Sequence, residues 1–246
     1  MSRSLTLIFA IVAYAIFFAT FLYLICFVGN VPLVSKTVDV GPQAPVAAAV
    51  IIDIALIALF GVQHSVMARQ GFKRWWTKVV PWPAERSVYV LMASAVLIVL
   101  MALWRPLDAI VWSVSALWVA NLIWAIFGLG WATVLLSTFL INHFELFGLQ
   151  QAWFNMLGRE AEPHKFHQPL LYKWVRHPLY LGFFLAFWAA PRMTAGHLLL
   201  AVGVSIYMLI AIRYEERDLV AYFGKDYEDY RERVGMLTPR FRRRSA

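Results

Sequence analysis

The chain has 246 residues, of which 61% are hydrophobic and 15% are charged. Soluble domains contain about 45–50% apolar and about 25% charged residues, so this composition excludes an ordinary water-soluble fold. The formal net charge is +8, and basic loops facing anionic lipid headgroups account for it without a nucleic-acid partner. A lone cysteine, Cys26, excludes a disulfide framework and a cysteine-based metal site. We therefore predict a polytopic membrane protein in contact with membrane lipids.

Four apolar stretches are long enough to cross the roughly 30 Å hydrocarbon core of a bilayer as helices. They are residues 5–28, about 45–63, 88–104 and 109–141. The first exceeds the apolar core of a signal peptide, so we expect it to remain as a membrane helix. The fourth is longer than one perpendicular span needs, and we expect a single long helix that Gly128 and Gly130 bend or tilt.

The last apolar region is divided into two arms. Residues 179–190 give an arm of about 18 Å, and a second arm follows from about 195 to 212. We expect a tilted or partly penetrating helical hairpin. The predicted fold class is all-α, with four spans plus this hairpin, five to six transmembrane helices in total, and cytoplasmic C-terminal helices. The chain then divides into a membrane bundle at 1–141 and a C-terminal region at 142–246.

The distribution of basic residues predicts the orientation. The first loop contains only Lys36 and the third only Arg105, whereas the second contains Arg69, Lys73, Arg74, Lys78 and Arg86. Loops rich in Lys and Arg stay on the cytoplasmic side. We therefore expect a multi-pass protein of a bacterial inner membrane, with both termini and residues 142–177 in the cytoplasm.

Two polar clusters lie at the two ends of the hairpin. Arg176, His177 and Pro178 precede the first arm, and Glu215 and Glu216 follow the second. A hairpin returns both clusters to one membrane surface. Pro178 suits the first turn of a helix, so His177 is a natural N-cap, and the free N–H groups together with Arg176 can hold a carboxylate. Adjacent carboxylates near an apolar boundary require a shared cation. The pair predicts a site for a zwitterionic, cationic ligand.

Gly182 lies one turn into the first arm. Its missing side chain lets another backbone or a ligand approach closely. A plainer alternative exists for both polar clusters. In that alternative the glutamates form only an interfacial salt-bridge patch with Arg213 and Arg217, and the Arg-His-Pro run is an ordinary helix start.

A family resemblance covers the hairpin and its flanks. Residues 172–182 (YKWVRHPLYLG), Glu215-Glu216 and residues 223–230 (FGKDYEDY) resemble the C-terminal signature of the isoprenylcysteine carboxyl methyltransferase and phospholipid methyltransferase superfamily. The resemblance implies that residues 142–246 bind S-adenosylmethionine on the cytoplasmic side. The residues it implies around this cofactor are Tyr172, Arg176, His177, Pro178, Tyr180, Gly182, Glu215 and Glu216. We expect the glutamates to hold the ammonium group and Tyr180 to lie by the sulfonium.

Three further runs narrow the resemblance. Residues 63–69 (QHSVMAR), 142–151 (NHFELFGLQQ) and 187–198 (FWAAPRMTAGHL) resemble the methanethiol S-methyltransferase branch of the superfamily. Membership of that branch implies in-line attack of methanethiol on the activated methyl group, which gives dimethyl sulfide and S-adenosylhomocysteine. It also implies a small apolar pocket for a small thiol. One departure is the run 168–171 (QPLL), because the superfamily often carries a glycine shortly before the Tyr-x-x-Val-Arg-His-Pro run.

The attacking species is a thiolate, and most of a free thiol is protonated at neutral pH, so a nearby base would help. His64 and His143 fall near cytoplasmic helix ends and are the candidate general bases. The alternative for each is a histidine whose ring is satisfied by a backbone carbonyl. Asp53 in the second helix is an ionisable group at membrane depth, and we interpret it as a packing residue.

Other functions remain open on sequence alone. Within the superfamily, the substrate could be a lipid or a prenylated cysteine carboxylate, or the same signature could serve a sterol-reductase-like enzyme with a nicotinamide cofactor. A different class is a haem-binding electron-transfer protein, for which His164 and His167 are the closely spaced pair. We expect no metal, because bis-histidine haem sites need histidines on facing helices inside the bundle. The sequence indicates no oligomeric state and no determinant of thiol specificity.

Overall fold

A computed structural model of the chain describes residues 2–160 and 166–240. These residues form a helical bundle with one two-stranded ribbon. In chain order the elements are α1 (Arg3–Val28), α2 (Val46–Ala68), α3 (Gln70–Trp76), α4 (Trp82–Leu103), β1 (Ile110–Ser113), α5 (Leu117–Ile141), α6 (His143–Leu146), α7 (Leu149–Leu157), a 3-10 turn (Leu170–Lys173), α8 (Pro178–Trp188), β2 (Arg192–Thr194), α9 (Ala195–Phe223) and α10 (Lys225–Arg233).

Five of these helices are long and apolar enough to cross a membrane, namely α1, α2, α4, α5 and α9. The shorter apolar helix α8 has 11 residues and lies against α5, α9 and their neighbours in the bundle. The predicted class, an all-α polytopic membrane protein with five to six membrane helices, is confirmed. Proline marks several helix starts, because its fixed φ suits the first turn and its missing N–H costs nothing there. Pro45 and Pro81 precede α2 and α4, and Pro178 opens α8.

The helix ends meet at two faces of the bundle. At the first, which we call the site face, the end of α2 contacts the end of α9 through Arg69 and Asp218, whose Nη1 and Oδ2 atoms are 3.3 Å apart. The opposite end of the bundle, which we call the far face, contains residues 29–45, the β-ribbon and the start of α9. There the Thr194 hydroxyl donates to Oδ1 of Asp39 at 2.6 Å.

The β-ribbon corrects the predicted bounds of two helices. Residues 110–113, which we expected inside a long helix at 109–141, form β1 and pair antiparallel with β2, so α5 begins at Leu117. The run Ile-Val-Trp-Ser is rich in β-branched and aromatic residues, and only the distant β2 segment supplies its backbone partners. The second arm is also longer than expected, because α9 continues past residue 212 to Phe223.

Two glycines bring α5 and α8 into backbone contact. A Cβ atom added at Gly182 would lie 2.7 Å from the Gly130 carbonyl oxygen and 2.8 Å from the Val134 nitrogen. A Cβ added at Gly130 would lie 2.7 Å from the Ala186 nitrogen. Small residues allow this close approach between membrane helices. Of the two interpretations of Gly182, the structure shows the close approach of another backbone, and this contact fixes the short helix α8 in the bundle.

Candidate functional site

The start of α8 and the end of α9 meet at one carboxylate. His177 is the N-cap of α8 and Pro178 its first residue. Nε of Arg176 donates to Oε1 of Glu216 at 2.7 Å, and Nε2 of His177 lies 3.1 Å from the same oxygen. The three side chains are only 8%, 3% and 13% exposed. The structure therefore brings the two predicted polar clusters together, and Glu216 forms an ion pair with Arg176 and a hydrogen bond with His177.

The segment after α10 completes the binding of Arg176. Nη1 of Arg176 donates to the carbonyl oxygens of Arg231 and Val234. The backbone N–H of Arg176 donates to Gly235 O at 2.9 Å, and that of His177 to Met236 O at 3.1 Å. Residues 234–236, which the sequence analysis did not select, thus lie beside 175–177 as a short parallel bridge. No local sequence signal marks this contact, because it joins segments about 60 residues apart.

The C-terminal helix α10 packs against the 3-10 turn that carries Tyr172. The Tyr230 hydroxyl donates to the Tyr172 carbonyl oxygen at 2.6 Å, and Phe166, Tyr227 and Tyr230 form an apolar cluster beneath it. Burial raises the pKa of Tyr230 to about 12, and burial also raises the pKa of Tyr172. Both phenols are therefore uncharged near neutral pH.

Glu215 has a different environment from its neighbour. Its Oε2 atom accepts from the Tyr180 hydroxyl at 2.9 Å. Among the residues that the structure describes, Glu215 forms no ion pair, in contrast to Glu216. Its charge reaches Tyr207 of the same helix and tyrosines on three other elements, which are Tyr89, Tyr172 and Tyr227. The site is therefore an uncompensated carboxylate with tyrosines around it.

His64 lies next to this tyrosine group. Its Nε2 atom is 2.8 Å from the hydroxyl of the buried Tyr89, and its ring stacks on Phe60 with 5.2 Å between ring centroids. Tyr207 approaches the ring edge-on. The Nδ1 atom is buried and has no hydrogen-bond partner within residues 2–160 and 166–240. Tyr89 thus connects a histidine that has a free ring nitrogen to the surroundings of Glu215.

His143 has both ring nitrogens in use. Nδ1 lies 2.8 Å from Oγ1 of Thr138, and Nε2 lies 2.8 Å from the Tyr14 hydroxyl. Since the Thr138 hydroxyl donates to Leu135 O at 2.7 Å, its oxygen accepts from Nδ1–H, and the Tyr14 hydroxyl donates to Nε2. Burial lowers the pKa of this imidazole. Its role as a base stays a prediction, and of the two candidates the geometry favours His64.

The remaining ionisable candidates lie elsewhere or outside the described residues. Asp53 is fully buried and accepts from the backbone N–H of Arg105 at 2.9 Å, near the end of α4. This contact agrees with a packing role. Within the described part of the chain, no group of three or more His, Cys, Asp and Glu side chains is arranged to hold a metal ion. His164, one of the pair considered for haem, is outside the described residues.

The fold and the site define a class, an integral membrane helical protein with a buried Arg-His-Glu cluster at one end of its spans. Comparison with known proteins identifies the family within this class. The chain is 52% identical over 239 residues to Methanethiol S-methyltransferase of Mycobacterium tuberculosis, covering 97% of this chain and 98% of that protein. It is 52% identical over 237 residues to Methanethiol S-methyltransferase 1 of Bradyrhizobium diazoefficiens, covering 96% and 83%. The chain belongs to the methanethiol S-methyltransferase family, and the resemblance that its motifs indicated is confirmed.

The chain also has a more distant similarity to Nurim, a protein outside the methanethiol S-methyltransferases by name. The chain is 31% identical over 186 residues to Nurim of Xenopus laevis, covering 72% of this chain and 64% of that protein. No family model matches the chain. No solved structure matches it either.

Proposed function

We propose that this protein transfers a methyl group from S-adenosylmethionine to methanethiol and releases dimethyl sulfide and S-adenosylhomocysteine. The relatives that are about half identical along nearly the whole chain bear the name methanethiol S-methyltransferase. The observation that carries the proposal is the contrast between the two glutamates at the end of α9. Glu216 is paired with Arg176 and His177, whereas Glu215 has a hydrogen bond to Tyr180 and no ion pair among the described residues. That arrangement suits a ligand with ammonium and sulfonium groups.

The residues at the start of α8 and the end of α9 would hold the cofactor. Glu215 accepts from the ammonium group, while the Tyr180 hydroxyl fixes the second carboxylate oxygen. The first N–H groups of α8 receive the carboxylate. Arg176 then acts as a positioning residue, because its guanidinium is engaged by Glu216 and by the carbonyl oxygens of Arg231 and Val234. When bound, S-adenosylmethionine supplies a methyl group activated by a sulfonium sulfur.

His64 is the base in this proposal. In the active tautomer its Nε2–H donates to the Tyr89 oxygen, and the lone pair on Nδ1 accepts the thiol proton. The resulting thiolate would attack the methyl carbon that the bound cofactor supplies, with the sulfonium sulfur as the leaving group. The apolar residues around His64, Phe60 among them, suit a small thiol.

We also infer that the site face is cytoplasmic and that the protein lies in the inner membrane. The second loop, with its five basic residues, adjoins this face. The far face has fewer, with Lys36, Arg105 and Arg192 near it. This asymmetry follows the positive-inside rule.

The test of the reaction is headspace gas chromatography on the purified protein in detergent. Methanethiol, larger thiols and a prenylcysteine analogue are each offered with S-adenosylmethionine. We expect dimethyl sulfide only when protein, cofactor and methanethiol are all present. Methylation of the prenylcysteine analogue without dimethyl sulfide would overturn the thiol as substrate, and absence of cofactor binding would overturn the site itself.

A further inference from the structure

A cavity of about 480 Å³ opens at the far face, at the opposite ends of the helices from Glu215 and Glu216. Its walls come from the end of α1, the 29–45 loop, α5, β2 and the start of α9, and none of the residues assigned to methyl transfer lines it. Its volume falls in the range of small-molecule sites. The cavity is therefore separate from the proposed reaction.

His197 lines this cavity and has a ring nitrogen without a hydrogen-bond partner among the described residues. The residue is 2% exposed, and its Nε2 atom lies 3.0 Å from the Phe187 carbonyl oxygen. A carbonyl oxygen only accepts, so Nε2 carries the proton and Nδ1 is a bare lone pair. Nδ1 is buried and has no hydrogen-bond partner in the part of the chain that the structure describes. Buried acceptors are normally satisfied, so a ligand for this cavity needs an N–H or O–H donor.

Two carboxylates give the cavity a negative charge. Asp39 is held by the Asn30 amide at 2.8 Å and the Thr194 hydroxyl at 2.6 Å. Asp108 accepts from the Gln43 amide at 3.0 Å. All three partners are neutral, and neither aspartate forms an ion pair among the described residues. Arg192 is the one Lys or Arg side chain in the lining, and both it and Asp108 are exposed. Two aspartates against one arginine give the lining a net negative charge.

The rest of the wall is aromatic and apolar. Trp124 and Phe127 of α5 form part of it, with their ring centroids 5.4 Å apart. Aromatic faces attract organic cations as well as apolar groups. A metal ion is a poor match, because no group of three or more His, Cys, Asp and Glu side chains among the described residues is arranged for one.

We propose that this far-face cavity binds a small organic ammonium compound that carries at least one N–H group and an apolar part. The ammonium group lies between the Asp39 and Asp108 carboxylates and donates to Nδ1 of His197, and the apolar part lies against Trp124. The site requires no transfer chemistry and is independent of the cofactor.

The experiment titrates phenethylammonium chloride into the full-length protein in detergent and follows tryptophan fluorescence and calorimetric heat. The neutral control is 2-phenylethanol, which has the same ring without the charge. Asp108→Asn is the main variant, because Asp108 has one described partner, whereas Asp39→Asn disturbs the Thr194 contact. Asp229→Asn is the matched control, since Asp229 is an exposed aspartate on the site-face helix α10.

We expect saturable phenethylammonium binding that Asp108→Asn weakens at least about tenfold and that Asp229→Asn leaves unchanged. In addition, 2-phenylethanol should bind far more weakly, and Trp124→Phe should remove most of the fluorescence change while the heat remains. The proposal would be overturned if Asp108→Asn bound phenethylammonium as tightly as wild type does. It would also be overturned if 2-phenylethanol bound as tightly as phenethylammonium, or if binding did not saturate. Dimethyl sulfide formation is not a readout here, so this result and that of the methyl-transfer test are independent.

Discussion

The two adjacent glutamates at the end of α9 differ in the charge around them. Glu216 shares one oxygen with Arg176 and His177, and its side chain is 13% exposed. Glu215 is bonded to a neutral phenol. Their neighbouring positions in sequence predicted a shared function, but successive residues on a helix point about 100° apart. In the proposed function, Glu216 holds Arg176 in place and Glu215 binds the ligand.

Substitution of these residues should separate the two roles. Glu215→Gln is expected to weaken S-adenosylmethionine binding at least about tenfold, a loss of roughly 1.4 kcal/mol, with an unchanged thermal midpoint. Glu216→Gln leaves the Arg176 guanidinium almost buried without its carboxylate, and breaking such a pair costs about 3–5 kcal/mol. Calorimetric titration and thermal unfolding in the same detergent measure both effects. A stable Glu216→Gln protein beside an unfolded Glu215→Gln protein would reverse the assignment.

His64 is the residue for which a change in pH dependence is expected. His64→Ala should lower turnover by about 10²–10⁴-fold, the usual contribution of a general base, with little effect on cofactor affinity. Turnover should recover in part at alkaline pH, because thiolate then forms without a base. The matched control is His143→Gln, which removes an imidazole whose nitrogens are both bonded. A pH–rate profile that is identical in wild type and His64→Ala would exclude this base.

At the scale of elements, α8 depends on α5 for its position. A helix of 11 residues is about 17 Å long and cannot cross a bilayer alone. Its backbone contact with α5 at Gly130 and Gly182 sets the depth at which His177 meets Glu216. The glycine in the motif is therefore a helix-packing residue that acts on the site through the position of the helix.

A pair of glycine substitutions tests this dependence. Gly182→Ala places a methyl group against the α5 backbone, and such overpacking costs about 1–3 kcal/mol; cofactor affinity should fall with stability. Gly128→Ala is the control, because a Cβ at Gly128 meets nothing within 4 Å. Thermal unfolding and cofactor titration of both variants are compared with wild type. A Gly182→Ala protein as stable as Gly128→Ala would contradict the packing role.

The sequence alone predicted the membrane-spanning helices, because the thickness of a bilayer sets their length and hydropathy. Length and hydropathy located the long spans, and proline placed the start of α8 at residue 178. Contacts between distant segments were not predictable in the same way. The strand at 110–113 depends on a partner at 192–194, and the binding of Arg176 depends on residues 234–236. Tyr89 connects His64 to the Glu215 region. In the sequence it is one tyrosine in an apolar helix, and no pattern marks it as part of a site.

At the scale of the whole molecule, the two faces differ in charge and in chemistry. The site face has the Arg-His-Glu cluster and the basic second loop, whereas the far face has the acidic cavity with Asp39 and Asp108. A bilayer keeps ligands of the two faces apart unless they cross the hydrocarbon. Methanethiol is small and apolar enough to cross, whereas the charged form of an ammonium compound is costly to bury in hydrocarbon.

Single-cysteine labelling tests the orientation of these faces. In a Cys26→Ser background, Ser35→Cys introduces a thiol on the far-face loop and Thr77→Cys one on the second loop. A membrane-impermeant maleimide should label Ser35→Cys in intact spheroplasts and label Thr77→Cys only after lysis. The reverse pattern would place the site face outside the cytoplasm.

The contact between residues 175–177 and 234–236 has a consequence for biogenesis. The five long helices all end by residue 223, so every span has been synthesised before Gly235 and Met236 leave the ribosome. The spans therefore do not include the three backbone partners of Arg176, which are the carbonyl oxygens of Arg231, Val234 and Gly235. We expect the site to be complete only once this C-terminal segment has docked onto the inserted bundle, which makes maturation a step distinct from insertion.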